Sequence, residues 1–140
     1  TRCRQLATYV IFDSPLNMLC DNPSNYKREP ECTAFIARIP TVWDETLGLD
    51  GKVGEYITMA RRSGDEWYVG GLTNWDKRDI IVDLSFLGEG FYEIELFKDG
   101  INADRAACDY KRVVMPVPED RQLKVTLFPG GGFAGRIERR

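Results

Sequence analysis

A mainly β fold, an antiparallel β-sandwich preceded by a short α/β segment, is what this sequence predicts, and three observations predict it. The apolar spacing is helical in the first 40 residues and switches to a period of two after about residue 52. Seven short alternating runs follow the switch, most of them separated by turn signals. The part before it reads helix, strand, loop, helix, and its lone strand has no partner with which to form a sheet.

The elements follow in order. Leu6, Tyr9 and Val10 fall at i, i+3 and i+4, one face of a helix. "SPLNML" (14–19) is a brief apolar run that suits a buried strand. "CDNPSNYKREP" (20–30) is a loop, broken by Asn, Asp, Ser and two prolines. Cys32, Phe35, Ile36 and Ile39 repeat at helical spacing, with Pro30 placed for a start and Pro40 for a stop, so 31–39 is a helix. "TVWDETLGLDGKVGEY" (41–56) then reads as a seam between two units, residues 1–45 and 46–140.

Beyond the seam the strands are "EYITMARR" (55–62), "EWYVGGLT" (66–73), "DIIVDLSF" (79–86), "GFYEIELFKDG" (90–100), "KRVVMPV" (111–117), "QLKVTLF" (122–128) and "GFAGRIE" (132–138). In the fourth, Tyr92, Ile94 and Leu96 alternate with Glu93 and Glu95, which predicts one dry face and one wet face. Turns such as "SGDE", "KDG", "PED" and "PGGG" separate them. Short strands with this punctuation make a sandwich or barrel.

Composition excludes several chemistries. The chain has no histidine, so a Ser-His-Asp triad, a Cys-His pair and histidine-ligated zinc are all ruled out. Its four cysteines (Cys3, Cys20, Cys32, Cys108) are far apart with no C-x-x-C pair, which predicts buried or half-buried thiols, with one bridge conceivable only in an exported protein. Net charge is −3 with scattered basic residues, so no stripe for nucleic acid is visible. No apolar run approaches the roughly 20 residues of a membrane span. Thr1 follows neither an initiator Met nor a leader pattern, so the sequence reads as cut from a longer one.

Four motifs could carry chemistry. Asp44 and Glu45 beside Trp43 suggest a sugar subsite, but glycosidase carboxyls stand about 5–9.5 Å apart across the bond, which adjacent residues rarely achieve. A linker with Trp43 plugging an interface and its acids solvated or paired is the simpler expectation. Asp99, Asp104 and Asp109 do not follow the calcium-loop pattern, because the glycine and the closing acid are misplaced. "PGGGFAGRI" (129–137) lacks the Lys-Ser/Thr of a phosphate loop. Trp67, Tyr68 and Trp75 could make a stacking platform for a sugar ring, against the commoner role of aromatic core filling.

Longer words of the chain carry a resemblance. "SPLNMLCDNP", "IPTVWDET", "LDGKVGEYITMARRSGDEWYVGGLTNWDKRDIIVDLSFLGEGFYEIELFKDGINADR", "DYKR" and "PGGGFAGRI", in that order, resemble the C-terminal end of glycoside hydrolase family 97, a family of α-glucosidases and α-galactosidases. The resemblance implies an N-terminal β-supersandwich, a central catalytic (β/α)8 barrel and a C-terminal β domain. Residues 1–45 would then be the end of the barrel, with "SPLNML" as its eighth strand and 31–39 its closing helix, and 46–140 would be the C-terminal sandwich.

Barrel sites lie at the C-terminal ends of the strands, which puts Cys20 and Asp21 near the substrate, unless they only cap the strand and shape the loop. The family's catalytic carboxylates and calcium-binding glutamates belong to earlier segments. No position here matches them, so the expectation is no catalytic residue, no metal ligand and no cofactor in this segment, with calcium left to the parent enzyme. The segment alone would be inactive. Its partners would be the rest of the parent glycosidase, an oligosaccharide substrate in the whole enzyme and a second copy in a homodimer, with the parent periplasmic or secreted. The alternatives are a free-standing carbohydrate-binding module that uses Trp67 and Trp75, or a sandwich for protein contacts.

Overall fold

The computed structural model describes residues 1–14 and 18–140. Three helices come first: α1 (Arg2–Ile11), α2 (Pro23–Arg28) and α3 (Pro30–Arg38). Eight strands follow: β1 (Glu45–Lys52), β2 (Tyr56–Ser63), β3 (Glu66–Thr73), β4 (Arg78–Asp83), β5 (Tyr92–Asp99), β6 (Tyr110–Pro116), β7 (Gln122–Leu127) and β8 (Gly132–Arg139). No helix among the described residues is long and apolar enough to cross a membrane.

The hydroxyl of Thr1 caps α1 by accepting from the Arg4 N–H at 3.1 Å. The helix buries Cys3, Leu6, Ala7, Val10 and Ile11, a single stripe. The expected strand at 14–19 lies, at residues 15–17, outside the described residues, and its flanks Ser14, Met18 and Leu19 are not in a strand. The expected loop at 20–30 is corrected, because it contains α2. Asn22 caps that helix and Pro23 takes its first turn, so the dipeptide that looked like a breaker is a start signal. No residue of α2 is buried, and so no apolar period announces it.

The strands make two antiparallel sheets. The larger runs β1-β2-β3-β8-β5-β6, the smaller is β4-β7. They face each other across an apolar core that includes Val69, Val82, Leu84, Ile94, Leu96, Leu123, Leu127, Phe133 and Ile137. The other face of the large sheet carries the helices. There Cys3, Leu6, Cys32 and Phe35 meet Phe97 and Ala134, and the Phe35 and Phe97 rings lie 4.8 Å apart. The result is three layers: small sheet, large sheet, helices.

Two further expectations are corrected. The stretch 41–56 is not a linker, because most of it is the hairpin β1–β2, closed at Gly54 (φ +79°) with the Glu55 N–H donating to the Lys52 carbonyl at 2.9 Å. Eight strands therefore replace seven. Alternation in β1 is invisible on one face because Gly48 and Gly51 stand there, and the register shifts between Gly48 and Asp50. Glu95 is not on a wet face either, since α3 covers it and it is buried.

Candidate functional site

A cleft of about 690 Å³ lies between α1, the α2–α3 pair and the loop after β5. Gln5, Tyr9, Cys20, Asp21, Tyr26 and Cys108 are among the residues that line it. Both substrate-proximal candidates, Cys20 and Asp21, are therefore on its wall and exposed. Asp21 is already engaged: its Oδ1 accepts from the Asn22 N–H at 2.7 Å and from Asn25 Nδ2 at 2.8 Å. Its own N–H donates to the Tyr26 hydroxyl at 3.1 Å. Asp21 thus ties the start of α2 in place. Cys20 Sγ stands 3.9 Å from the Met18 carbonyl. Burial pushes the Tyr9 hydroxyl above its ordinary pKa. The cleft is a shaped recess whose polar groups hold one another, Arg2 pairing with Glu29 at 2.8 Å.

All four thiols are free. Cys3 and Cys32 are buried, and burial raises both pKa values, so neither offers a thiolate. Cys20 and Cys108 are exposed, contrary to the expectation of buried or half-buried thiols, because both sit on loops at the cleft rim.

The proposed aromatic platform is not assembled. Trp67 is half-buried near the start of β3, with its ring 4.5 Å from that of Phe86 at 51° and the Arg62 guanidinium 6.0 Å from its centroid. Trp75 is 84% exposed and lies past the other end of β3, against Gly130. The six residue steps from Trp67 to Thr73 alone separate them by about 20 Å. One ring is core filling and the other stands alone.

The acids of 41–56 are structural. Asp44 Oδ2 accepts from the Gly64 N–H at 2.7 Å, and Glu45 pairs with Arg62 at 3.2 Å. Trp43 packs edge-on against Tyr68 (5.4 Å) and under the Arg61 guanidinium (5.6 Å). Two of the acids from the end of β5 onward, Asp99 and Asp109, are also spoken for. Buried Asp99 accepts from the Phe128 and Gly132 N–H groups, each at 3.1 Å, and Asp109 accepts from the Asn102 N–H at 2.8 Å. Burial raises the Asp99 carboxyl. Among the described residues no group of three or more His, Cys, Asp or Glu side chains could share a metal ion.

One polar cluster that sequence reasoning missed fastens a helix to the sheet. Buried Glu95 on β5 receives Arg38 of α3 at 2.7 Å and Arg112 of β6 at 2.8 Å. Burial opposes its ionisation, but the two arginines outweigh that and hold its carboxyl below the ordinary range. Tyr110 adds a bond to Glu31 of α3 at 2.8 Å. This clasp fastens α3 to the sheet. No signal in the sequence pointed to it, because Glu95 alternates with Ile94 and Leu96 just as a solvent-facing residue would.

Among the described residues the geometry offers surfaces and fastenings. A family described as "Glycosyl-hydrolase 97 C-terminal, oligomerisation" matches residues 42–138. The chain is 67% identical over 138 residues to a retaining α-galactosidase of Bacteroides thetaiotaomicron, covering 99% of this chain and 21% of that protein. It is 32% identical over 130 residues to a probable retaining α-galactosidase of Streptomyces bingchenggensis, covering 93% of this chain and 19% of that protein. A glycoside hydrolase family 97 enzyme of Pseudoalteromonas sp. strain K8, solved with acarbose, superposes with a TM-score of 0.92 at 35% identity, over 99% of this chain and 22% of that one. The chain spans about a fifth of the length of the relatives it matches. By its match over 42–138 it belongs to the glycoside hydrolase family 97 C-terminal domain family.

Proposed function

We propose that this chain is the C-terminal β domain of a longer retaining α-galactosidase and serves that enzyme as a structural accessory. The observation that carries this is the 67% identity, across nearly the whole chain, to an enzyme of that activity. Catalysis would belong to the part of the polypeptide outside residues 1–140, acting on oligosaccharides with an α-linked galactosyl unit.

In this reading residues 1–45 are the last segment of the catalytic barrel. The helical layer is where barrel and sandwich meet, and the Glu95 clasp and Phe35 hold them together. Cys20 and Asp21 then border the active site, and Asp21 acts there by fixing the loop through Asn22 and Asn25. The family description, with its mention of oligomerisation, favours a homodimer as the working form.

The test is hydrolysis of aryl α-galactosides and α-glucosides by the longer polypeptide and by this chain alone. The longer polypeptide should cleave the galactoside with retention at the anomeric carbon, followed by NMR, and the chain should cleave neither. Turnover by the isolated chain, or a longer polypeptide active only on the glucoside, would overturn the proposal.

A further inference from the structure

The helical layer covers only part of the large sheet. Six strands spaced about 4.8 Å apart make a surface about 24 Å wide. Helices pack 8–10 Å apart, so two of them cover roughly four strands. α3 lies over β5 and β6, through Phe35 on Phe97 and the Arg38–Glu95–Arg112 clasp. α1 lies over β3 and β8, with Val10 against Gly70 and Arg4 against Gly132. On the other flank of α1, Ala7 and Ile11 meet Leu72 and Met59. There the described helices end, and a strip of sheet about one helix wide remains over β1 and the outer side of β2.

The register shows what faces this strip. Thr46, Gly48 and Gly51 of β1 pair with Arg61, Met59 and Ile57 of β2, which share the face that carries α1. Ile57 is 38% exposed, and a Cβ on Gly48 would meet nothing within 4 Å. The hairpin tip adds the fully exposed Val53, and the strip opens into a cleft of about 480 Å³ lined by Arg4, Gly51, Val53, Ile57 and Leu72. The opposite face of the same strands is closed, with Leu47 and Leu49 against the main core and Thr58 buried. A sheet face meant for water carries polar side chains, whereas this one carries Ile57 and Met59 over a glycine floor. At its far end the strip is closed, because Arg61 lies over the Trp43 ring, donates to the Phe12 carbonyl at 3.4 Å and is buried.

We propose that this strip is the seat of a third amphipathic helix, laid beside α1 and supplied by the part of the longer polypeptide outside residues 1–140. The inference rests on the chain being a domain of a longer enzyme. Three observations favour this occupant: the strip is one helix wide, it continues a layer already built of helices, and the relatives are about five times longer than the chain. Gly48 and Gly51 let the helix approach closely, and its apolar stripe covers Ile57 and the side of Met59 that α1 leaves open.

Thiol labelling tests the seat. Ile57→Cys, and separately Ile81→Cys on the exposed face of β4, are placed in a background carrying Cys20→Ser and Cys108→Ser, and maleimide labelling is timed. In the isolated chain both sites should label at similar rates. In the longer polypeptide Ile57→Cys should slow by about tenfold or more while Ile81→Cys does not, because a packed helix must open before the reagent enters. Equal rates in the longer polypeptide would overturn the proposal, as would protection in the isolated chain that grows with concentration, which assigns the strip to a second copy. Thr46→Cys on the same face repeats the test should Ile57→Cys not fold. Protection at residue 57 in a polypeptide without α-galactosidase activity would refute the proposed function and leave the seat standing.

Discussion

The two faces of the large sheet are built differently. Toward β4 and β7 the sheet meets the larger apolar cluster, built from residues of the strands and their connections. Toward the helices it meets a patchwork of one aromatic cluster, two buried thiols, an arginine–glutamate clasp and an uncovered strip. The first kind of packing suits a domain's own core, held by the hydrophobic effect alone. The second kind, with ion pairs and open apolar surface, suits an interface between domains. The comparison teaches that the sandwich stands on its inner face, while its outer face holds the helices through ring contacts and ion pairs.

Substitutions can break or sharpen this contrast. The largest effect is expected at Leu96 on the inner face, where Leu96→Ala should cost about 3 kcal/mol of global stability in denaturant unfolding, since it leaves a cavity in that cluster. Glu95→Ala on the outer face should cost about 2 kcal/mol. This is less than breaking a fully buried pair because the side chains of Arg38 and Arg112 are 42% and 40% exposed. Its loss should free α3 before the strands, as seen by hydrogen exchange.

The same clasp sets a pH dependence. The folded-state pKa of Glu95 is depressed, so its contribution is fully present above the unfolded carboxyl value of about 4.3 and is lost as pH falls through the lower folded value. The Tm gap between the wild type and Glu95→Gln should therefore be constant near neutrality and shrink below about pH 4. A gap that persists at acid pH would mean that packing, not charge, holds α3.

Smaller effects lie at the margins. Asn22→Ala removes the cap of α2 and should cost about 1 kcal/mol, read as faster amide exchange in 23–28. Ile81→Ser, on the exposed face of β4, should change stability by less than about 0.5 kcal/mol. A large loss there would show that the small sheet also has a covered outer face.

The inner face was legible in the sequence because it obeys a period of two. Ile94 and Leu96, Val82 and Leu84, and Leu123, Val125 and Leu127 all announce themselves by alternation. α1 and α3 were equally plain from helical spacing and from the prolines around α3. What escaped was the outer face. β1 hid because two of its positions there are glycines, and α2 because it buries nothing. Glu95 was misplaced because alternation tells which residues share a face, not whether a helix covers it. Of the site candidates, Cys20 and Asp21 do fall on one cleft, since they are neighbours in the chain. Trp67 and Trp75 do not come together, because β3, legible in the sequence as 66–73, runs between them.

The most direct test of the central claim is native-state hydrogen exchange on the isolated chain and on the longer polypeptide. In the isolated chain, amides of β3, β5 and β8 should open only by global unfolding, while those of α1, α3 and β1 open by smaller local events. In the longer polypeptide the second group should rise to the protection of the first. Helices as protected as the central strands in the isolated chain, with no gain in the longer one, would contradict an outer face built as an interface.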